Sequence, residues 1–374
     1  MYYVLLYAQK VVSYLLSPAC RKVLILGGTM NKKKIGIMTF HRADNLGAVL
    51  QAYALQSALR ENWNADAEII DYLCPGVESD KKQGNGLKGL LLRVYYFWKH
   101  RSVEKFRDRY LILSEQCTTE SVSEISEKYD AVVTGSDQVW NYACSGWDDT
   151  YFLDFVSGDK EKYSYAASIG NYRFAETERS HIQQLLKDFS RISVRENSAK
   201  KELENLGVQG IVQCPDPVIL LTMERWKAIM SPRRYHQPYV FVYLIQEDVN
   251  VMRSAQAYAE AHHCKIISNK ISPEFILRGG PDEFLSWICY AECVFTNSFH
   301  GTAFALIFNR PLCADVALVS GGINHRVKEI LEIAGARHCI ADQAAANVSV
   351  PNAQNALDMM RKEADSYLQS ISEQ

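Results

Sequence analysis

The stretch KIGIMTFHRADNLGAVLQAYALQSAL, residues 34–59, is a hydrophobic strand that passes through a short polar loop into an apolar helix. The pattern predicts a strand at Ile35–Phe40 and a helix at Ala48–Arg60. Asn45 suits the helix N-cap, and Gly47 allows a ligand to approach the backbone closely. Because a helix N-terminus offers free N–H groups, the junction is either an anion site or a plain helix cap.

The same alternation of strands and helices continues along the chain. It predicts parallel sheets covered by helices on both faces, which is the α/β class. Strands are expected at Ile35–Phe40, Ala67–Tyr72, Ala131–Thr134, Lys162–Ala167, Ile192–Arg195 and Ile211–Cys214, and then at Tyr239–Ile245, Lys265–Ser268, Cys293–Asn297, Pro311–Asp315 and His338–Ala341.

Prolines cluster between Cys214 and Pro238, which indicates a break between two halves. We therefore expect two doubly wound Rossmann-like domains that face a cleft, with ligands beyond the carboxyl ends of the strands. The predicted division is an N-terminal extension at 1–30, a first domain at 31–220, a second domain at 221–350 and a C-terminal helix at 351–374 that packs back on the first domain.

Composition argues against several classes of protein. The net charge of −2 at pH 7 provides no positive field for nucleic acid, so no nucleic-acid partner is expected. Ten cysteines occur without a CxxC pair, which indicates reduced thiols and a cytoplasmic location. The sequence His262-His263-Cys264 could bind a metal but lacks a second pair of ligands, so we expect no metal site.

The first thirty residues admit two interpretations. Tyr2–Leu16 is apolar and aromatic, but it is short and interrupted by Gln9 and Lys10. It is either an upstream extension outside the fold or an interfacial anchor. The second interpretation predicts a contact with the inner face of the cell membrane.

A second junction is TGSDQVWN, residues 134–141, which follows a predicted buried strand. Asp137 could orient or deprotonate a hydroxyl, and Ser136 lies beside it. Trp140 either stacks on a sugar ring or belongs to the core. With His41 and Asn45 of the first junction, these residues are the predicted acceptor-binding set.

Two further junctions carry cations. Arg195 ends a hydrophobic strand, where it needs either an acidic partner such as Glu196 or an anionic ligand. In CVFTNSFHG, residues 293–301, His300 is the candidate that could exchange a proton near neutral pH. The predicted donor-binding residues are Arg195, Arg326, Ser298, Asn297, Gly301 and Asn324, and the predicted catalytic residues are His300 and Asp137.

Taken in order, these segments resemble the polysaccharide pyruvyl transferase family over roughly residues 34–335. TGSDQVWN and TNSFHGTAFAL are the most specific, and YSYAASIG, ISVREN and CPDPVILL lie between them. The resemblance implies the GT-B glycosyltransferase architecture, phosphoenolpyruvate as co-substrate without a bound cofactor, and a glycan or lipid-linked oligosaccharide acceptor. The implied product is a cyclic pyruvate ketal on a hexose of a cell-surface polysaccharide.

Three alternatives remain at this point. The first is a nucleotide-sugar-dependent glycosyltransferase of the same architecture, although no nucleotide signature is evident. The second is a carbohydrate-binding protein without activity. A nicotinamide oxidoreductase is weaker, because the GxGxxG fingerprint after a strand is missing.

Overall fold

The computed structural model describes residues 32–79, 86–317, 324–341 and 348–372. The predicted extension at 1–30 lies outside these ranges. None of the helices within them combines the length and the hydropathy that crossing a bilayer requires.

The strands form two main parallel sheets. The first has the order β2-β1-β3-β4 and the second the order β10-β9-β7-β8, while β5 and β6 pair with each other and continue the first sheet beyond β4 through isolated bridges. The strands are β1 (Lys34–Met38), β2 (Asp66–Ile69), β3 (Ala131–Thr134), β4 (Glu161–Ser164), β5 (Ser193–Val194), β6 (Val212–Gln213), β7 (Tyr239–Tyr243), β8 (Lys265–Ser268), β9 (Cys293–Thr296) and β10 (Leu312–Ala314).

Both sheets are wound in the same way. In each half the first strand, β1 or β7, lies between the second and the third, and the fourth strand lies outside the third. The strands of both sheets pair in parallel, for example with Ile35 opposite Ala131 in the first sheet and Val240 opposite Cys293 in the second. The predicted α/β class with two Rossmann-like units is confirmed.

Helices connect the strands. They are α1 (Leu46–Asn62), α2 (Pro75–Ser79), α3 (Gly86–Tyr110), α4 (Val122–Ser126), α5 (Tyr142–Ser145), α6 (Glu176–Leu186), α7 (Asn197–Asn205), α8 (Met223–Ile229), α9 (Val249–Ala261), α10 (Pro273–Ile276), α11 (Pro281–Cys289), α12 (Phe299–Ile307), α13 (His325–Ile333) and α14 (Gln354–Ser372).

Helix α1 is central to the fold. It begins after Asn45, whose side chain accepts hydrogen bonds from the N–H groups of Gly47 and Ala48. Every residue from Leu46 to Leu59 except Tyr53 is buried, so α1 has no solvent-facing stripe. The core around it is continuous from Ile35 in the first sheet to Phe241 in the second. One hydrophobic cluster therefore spans the two halves.

The C-terminal helix α14 lies against the first half of the chain. The Tyr367 hydroxyl donates to the carbonyl of Ser164 over 2.7 Å, and Arg361 Nε donates to the carbonyl of Ile219 over 2.7 Å. The exact domain boundaries stay a prediction.

Two predicted segments differ in detail. The strand expected at His338–Ala341 is instead a short 3₁₀ turn, Arg337–Cys339, followed by a single parallel bridge from Ile340 to Ala314. The turn follows Gly335, whose φ of 68° directs the chain away from an extended path. The expected covering segment at 74–101 contains α2 and the first part of α3, which continues to Tyr110.

Candidate functional site

The four polar junctions predicted from the sequence meet around one carboxylate, that of Asp216. Its Oδ2 atom lies 2.6 Å from Arg195 Nη1, 3.3 Å from Ser136 Oγ and 3.6 Å from His300 Nε2. Gly47 completes the group, because a Cβ built on it would lie 2.0 Å from His300 Nδ1. The site thus combines the ends of β1, β3, β5 and β9.

Asp216 is completely shielded from solvent and negatively charged. Its other oxygen, Oδ1, accepts a hydrogen bond from the N–H of Val218 over 3.0 Å. Burial raises the pKa of Asp216, but His300 and Arg195 outweigh burial and hold that pKa well below its usual range. The carboxylate therefore anchors two cation-capable groups, one from each half of the chain.

Arg195 is buried beside this carboxylate. Its Nη2 donates to Ser168 Oγ over 3.0 Å, and its guanidinium lies 4.9 Å from the ring centroid of Phe299. Burial lowers the pKa of Arg195, but Asp216 and Glu196 outweigh burial and raise it, so the charge is retained. Nε lies 3.5 Å from Glu196 Oε2, yet no described residue accepts a hydrogen bond from it.

Arg326 is the second guanidinium of the site. Burial lowers its pKa, and the charge of Arg195 lowers it further, while Glu196 and Asp137 act in the opposite direction. Its buried Nε also has no hydrogen-bond partner within the described ranges. Two neighbouring guanidiniums that each retain an unused N–H are suited to binding a small anion.

His300 is the second residue of α12 and is nearly buried. Its ring packs edge-on against Phe299, at a centroid distance of 5.2 Å, and against the backbone of Gly47. At 3.6 Å from Asp216, Nε2 is in electrostatic contact but too far for a hydrogen bond, and it has no partner among the described residues. This nitrogen is therefore buried against the carboxylate of Asp216 and makes no hydrogen bond within the described residues.

The small polar residues around His300 are engaged with the protein itself. Ser298 Oγ caps α12 by accepting from the N–H of Gly301 over 3.3 Å. Asn297 Oδ1 accepts from the N–H of Ile245, and Asn324 donates to the carbonyl of Asn297 over 3.3 Å. The structure shows these residues shaping the junction, and direct donor binding by Asn297, Ser298, Gly301 and Asn324 stays a prediction.

Asp137 lies in the strained turn after β3, with φ at 75°. Its Oδ1 accepts from the N–H of Gln138 over 2.9 Å, and its charge acts on both Arg195 and Arg326. Asp137 is therefore near the cations, and its role as a base stays a prediction.

Three of the predicted acceptor-binding residues are buried in the structure. Trp140 is fully buried, donates from Nε1 to the carbonyl of Tyr151 and stacks on Phe152, so its core interpretation is right. His41 is also buried, with Nε2 2.9 Å from Asp71 Oδ1. Ser136 is buried and its hydroxyl is used by Asp216.

Asn45 is the one member of that set that is exposed. Its side-chain oxygen caps α1 by accepting from the N–H groups of Gly47 and Ala48. Binding of an acceptor by Asn45 stays a prediction.

A cleft of about 290 Å³ opens beside the ion cluster. Phe299 and Ile330 contribute its apolar walls, and Arg195, Arg326, Asp216 and Glu329 its charged ones. The sequence patterns did not indicate Asp216 and Phe299 as site residues, although the two lie in the motifs CPDPVILL and TNSFHGTAFAL. An aspartate between two prolines directly after β6, as in CPDP, was the available signal for Asp216.

No group of three or more histidine, cysteine or acidic side chains is arranged to bind a metal within the described ranges. In the sequence His262-His263-Cys264, His262 instead stacks on Tyr258 at 4.0 Å, and Cys264 Sγ donates to the carbonyl of His262.

Comparison with known protein families gives a match over most of the chain. A family model described as polysaccharide pyruvyl transferase matches residues 45–314. No curated protein matches the chain.

Among solved structures, the chain is similar in fold to several sugar enzymes. A candidate UDP-N-acetylglucosamine 2-epimerase from Listeria monocytogenes is 12% identical, with 92% of this chain and 91% of that chain covered and a TM-score of 0.48. The UDP-GlcNAc 2-epimerase from Neisseria meningitidis is 11% identical, with coverages of 91% and 94% and a TM-score of 0.45. The E. coli ADP-heptose LPS heptosyltransferase II is 9% identical, with coverages of 89% and 99% and a TM-score of 0.33. Similarities at this level carry no information about the substrate of this chain.

Proposed function

Because the chain belongs to the polysaccharide pyruvyl transferase family, we propose that it uses phosphoenolpyruvate to form a cyclic pyruvate ketal on a hexose. The acceptor is a cell-surface polysaccharide or its precursor. The proposal places the reaction in the cytoplasm, where phosphoenolpyruvate is made, and contact with the inner face of the membrane stays an expectation.

The observation that carries this proposal is the pair of guanidiniums beside His300. Phosphoenolpyruvate presents a carboxylate and a phosphate a few bonds apart, and Arg195 and Arg326 each retain a buried N–H without a partner among the described residues. Each charge-assisted hydrogen bond formed there contributes about 1.5–3 kcal/mol. The carboxylate of Asp216 keeps this pair from being an uncompensated buried charge.

In the proposed mechanism, His300 donates a proton to the methylene carbon of the donor. The electrons of the carbon–carbon double bond form the new C–H bond, and the adjacent carbon becomes electrophilic. One acceptor hydroxyl attacks that carbon and loses its proton to a base, for which Asp137 is the candidate.

A second hydroxyl then attacks the same carbon and closes the ring. The bond from this carbon to the phosphate oxygen breaks, its electron pair leaves with inorganic phosphate, and the second hydroxyl loses its proton. One proton is taken up at the methyl group and two are released from the hydroxyls. The sequence of steps requires no redox partner.

The direct test is incubation with phosphoenolpyruvate and a panel of galactosides, glucosides and mannosides. We expect phosphate release that depends on the acceptor, together with a mass increase of the glycan that corresponds to the ketal. Release of a nucleotide from sugar nucleotides, without consumption of phosphoenolpyruvate, would instead establish the glycosyltransferase alternative and overturn the proposal.

A further inference from the structure

An exposed apolar patch lies where α3 meets the loop after β8 and the short helix α10. Phe97 and Trp98 of α3 are 57% and 45% exposed, and their rings contact each other at a centroid distance of 5.9 Å. Leu277 is 58% exposed and lines the same shallow depression as Trp98. Ile271, in the loop before α10, is 66% exposed. Large apolar side chains that are exposed side by side, rather than singly, mark a contact surface.

Three cations adjoin these apolar side chains. Lys99 and Arg278 line the depression beside Trp98. Burial lowers the pKa of Lys99, and the neighbouring charge of Lys270 lowers it further. The side chains of Lys270 and Arg278 are exposed. Lysine and arginine beside exposed aromatic and aliphatic groups are typical of a surface that lies at a membrane interface.

The positive charge of the patch is not balanced by ion pairs. Within the described ranges none of the three cations pairs with a carboxylate. Asp44 raises the pKa of Lys99, but its Oδ1 lies 2.9 Å from His100 Nδ1 and is engaged there. Glu274, on α10, is paired with Lys265. The patch therefore presents cations that are available to an anionic surface.

Trp147 shows that an exposed aromatic ring alone does not make such a surface. Its side chain is 64% exposed and stacks on Tyr142 at a centroid distance of 5.2 Å. The next two residues along the chain are Asp148 and Asp149, whose carboxylates repel an anionic surface. The patch on α3 differs because its aromatic rings lie beside cations.

A second copy of this chain fits the patch less well than a lipid surface does. In a two-fold symmetric contact the same patch faces itself, so each cation would meet cations of the other copy. An anionic bilayer surface neutralises the cations, and aromatic rings are favoured at the level of the lipid headgroups. The combination of charge and exposed rings therefore favours lipid as the partner.

We propose that this patch docks the protein on the surface of a membrane that contains anionic lipid. Phe97, Trp98 and Leu277 insert at the level of the headgroups, and Lys270 and Arg278 contact the lipid phosphates. The inference goes beyond the proposed function, because it concerns the place where the protein is held and does not depend on the reaction that it performs.

The test is co-sedimentation of the full chain with two kinds of vesicle. One is phosphatidylcholine alone, and the other is an equal mixture of phosphatidylcholine and phosphatidylglycerol. We expect the anionic vesicles to bind the protein about tenfold or more tightly than the neutral ones. Binding to the anionic vesicles should weaken as salt is added, because salt screens the attraction between the cations and the lipid phosphates.

Variants locate the contact. Lys270→Gln and Arg278→Gln should each weaken binding to the anionic vesicles about fivefold, because each removes one cation from the surface. Trp98→Ser should weaken it about tenfold or more, because the inserted apolar area is lost. The matched controls are Lys105→Gln, at an exposed position of α3, and Trp147→Ser, and both should bind like wild type. Thermal unfolding verifies that each variant retains the fold.

The proposal is wrong if wild type binds neither kind of vesicle, if it binds the two kinds equally, or if the patch variants bind like wild type. A changed oligomeric state of Trp98→Ser in light scattering, without a change in vesicle binding, would also overturn it and identify a protein–protein contact. Ketal formation on a soluble acceptor should be the same for wild type and the patch variants. Failure of the membrane contact and failure of the proposed reaction are therefore distinguishable.

Discussion

At the scale of single residues, Asp216 determines how the other site residues are held. Its carboxylate contacts Arg195 and His300, and its low pKa keeps it charged. The sequence pointed to the two cationic partners, because an arginine at a strand end and a histidine in a polar junction are conspicuous. It did not single out Asp216, because an aspartate near prolines is also an ordinary turn residue.

His300 is the residue whose replacement should separate chemistry from binding. We expect His300→Asn to lower kcat about 100-fold or more, with a much smaller change in the KM for phosphoenolpyruvate, because proton donation is lost while both guanidiniums remain. Steady-state kinetics measure both quantities. His236→Ala, at an exposed histidine, is the control and should behave like wild type. A raised KM with unchanged kcat would assign His300 to binding.

Asp71 should make folding stability depend on pH. Burial raises its pKa, but hydrogen bonds from His41 and Arg42 outweigh burial and lower the pKa from 3.8 to about 2. The folded state therefore holds this proton less tightly than the unfolded chain. The stabilisation is present above about pH 4 and is lost as the pH falls from about 4 to about 2, a change of about 2 kcal/mol.

Asp71→Asn should remove this pH-dependent contribution. As the pH falls from about 4 to about 2, we expect the difference in free energy of unfolding between wild type and variant to shrink by about 2 kcal/mol. Urea unfolding in small pH steps measures this difference. Asp358→Asn, at a largely exposed carboxylate, should follow the wild-type curve. Parallel curves for Asp71→Asn and wild type would contradict the assignment.

At the scale of elements, the strand-to-helix junctions carry the site. Parallel strands place their carboxyl ends at one edge of a sheet, so the sequence alone predicted that these polar segments lie near one another within each half. The closeness of α1 to α12, which belong to different halves, could not be predicted in this way. Gly47 lies at the contact between these two helices, because its missing side chain leaves room for the His300 ring.

Gly47→Ala should therefore act through His300. A methyl group would lie 2.0 Å from Nδ1, so the ring must move, and we expect kcat to fall about tenfold or more. Without this collision, alanine would stabilise the helix relative to glycine by about 1 kcal/mol, because its helix propensity is higher.

A double-mutant cycle isolates this effect. Gly47→Ala should destabilise the wild-type protein but not the His300→Ala variant, in which the colliding ring is gone. Denaturant unfolding measures both differences. Equal destabilisation in both backgrounds would show that the methyl group collides with something other than His300.

At the scale of the whole molecule, the two sheets share a winding order, and one hydrophobic cluster extends across both. The carboxylate of Asp216 belongs to the first half and contacts His300 of the second. The two halves are thus held together by apolar packing around α1 and by the buried ionic cluster of Asp216, Arg195 and His300.

Breaking that cluster should destabilise the entire chain. Asp216→Asn removes the carboxylate that pairs directly with the buried Arg195, and we expect the free energy of unfolding to fall by about 3 kcal/mol. Asp358→Asn breaks an exposed pair with Arg361 and should cost less than about 1 kcal/mol. Urea unfolding measures both, and equal losses would mean that Asp216 is not a structural anchor.

The sequence by itself determined the α/β class, the junctions that carry chemistry and the cations Arg195 and Arg326, because strand–helix periodicity and polar residues after buried strands are local signals. Only the tertiary structure decided that Asp216 joins these groups and that Trp140 and His41 are buried. Each of those facts depends on which surfaces of the two halves meet. The local sequence pattern does not predict which surfaces meet, because that depends on long-range packing around α1.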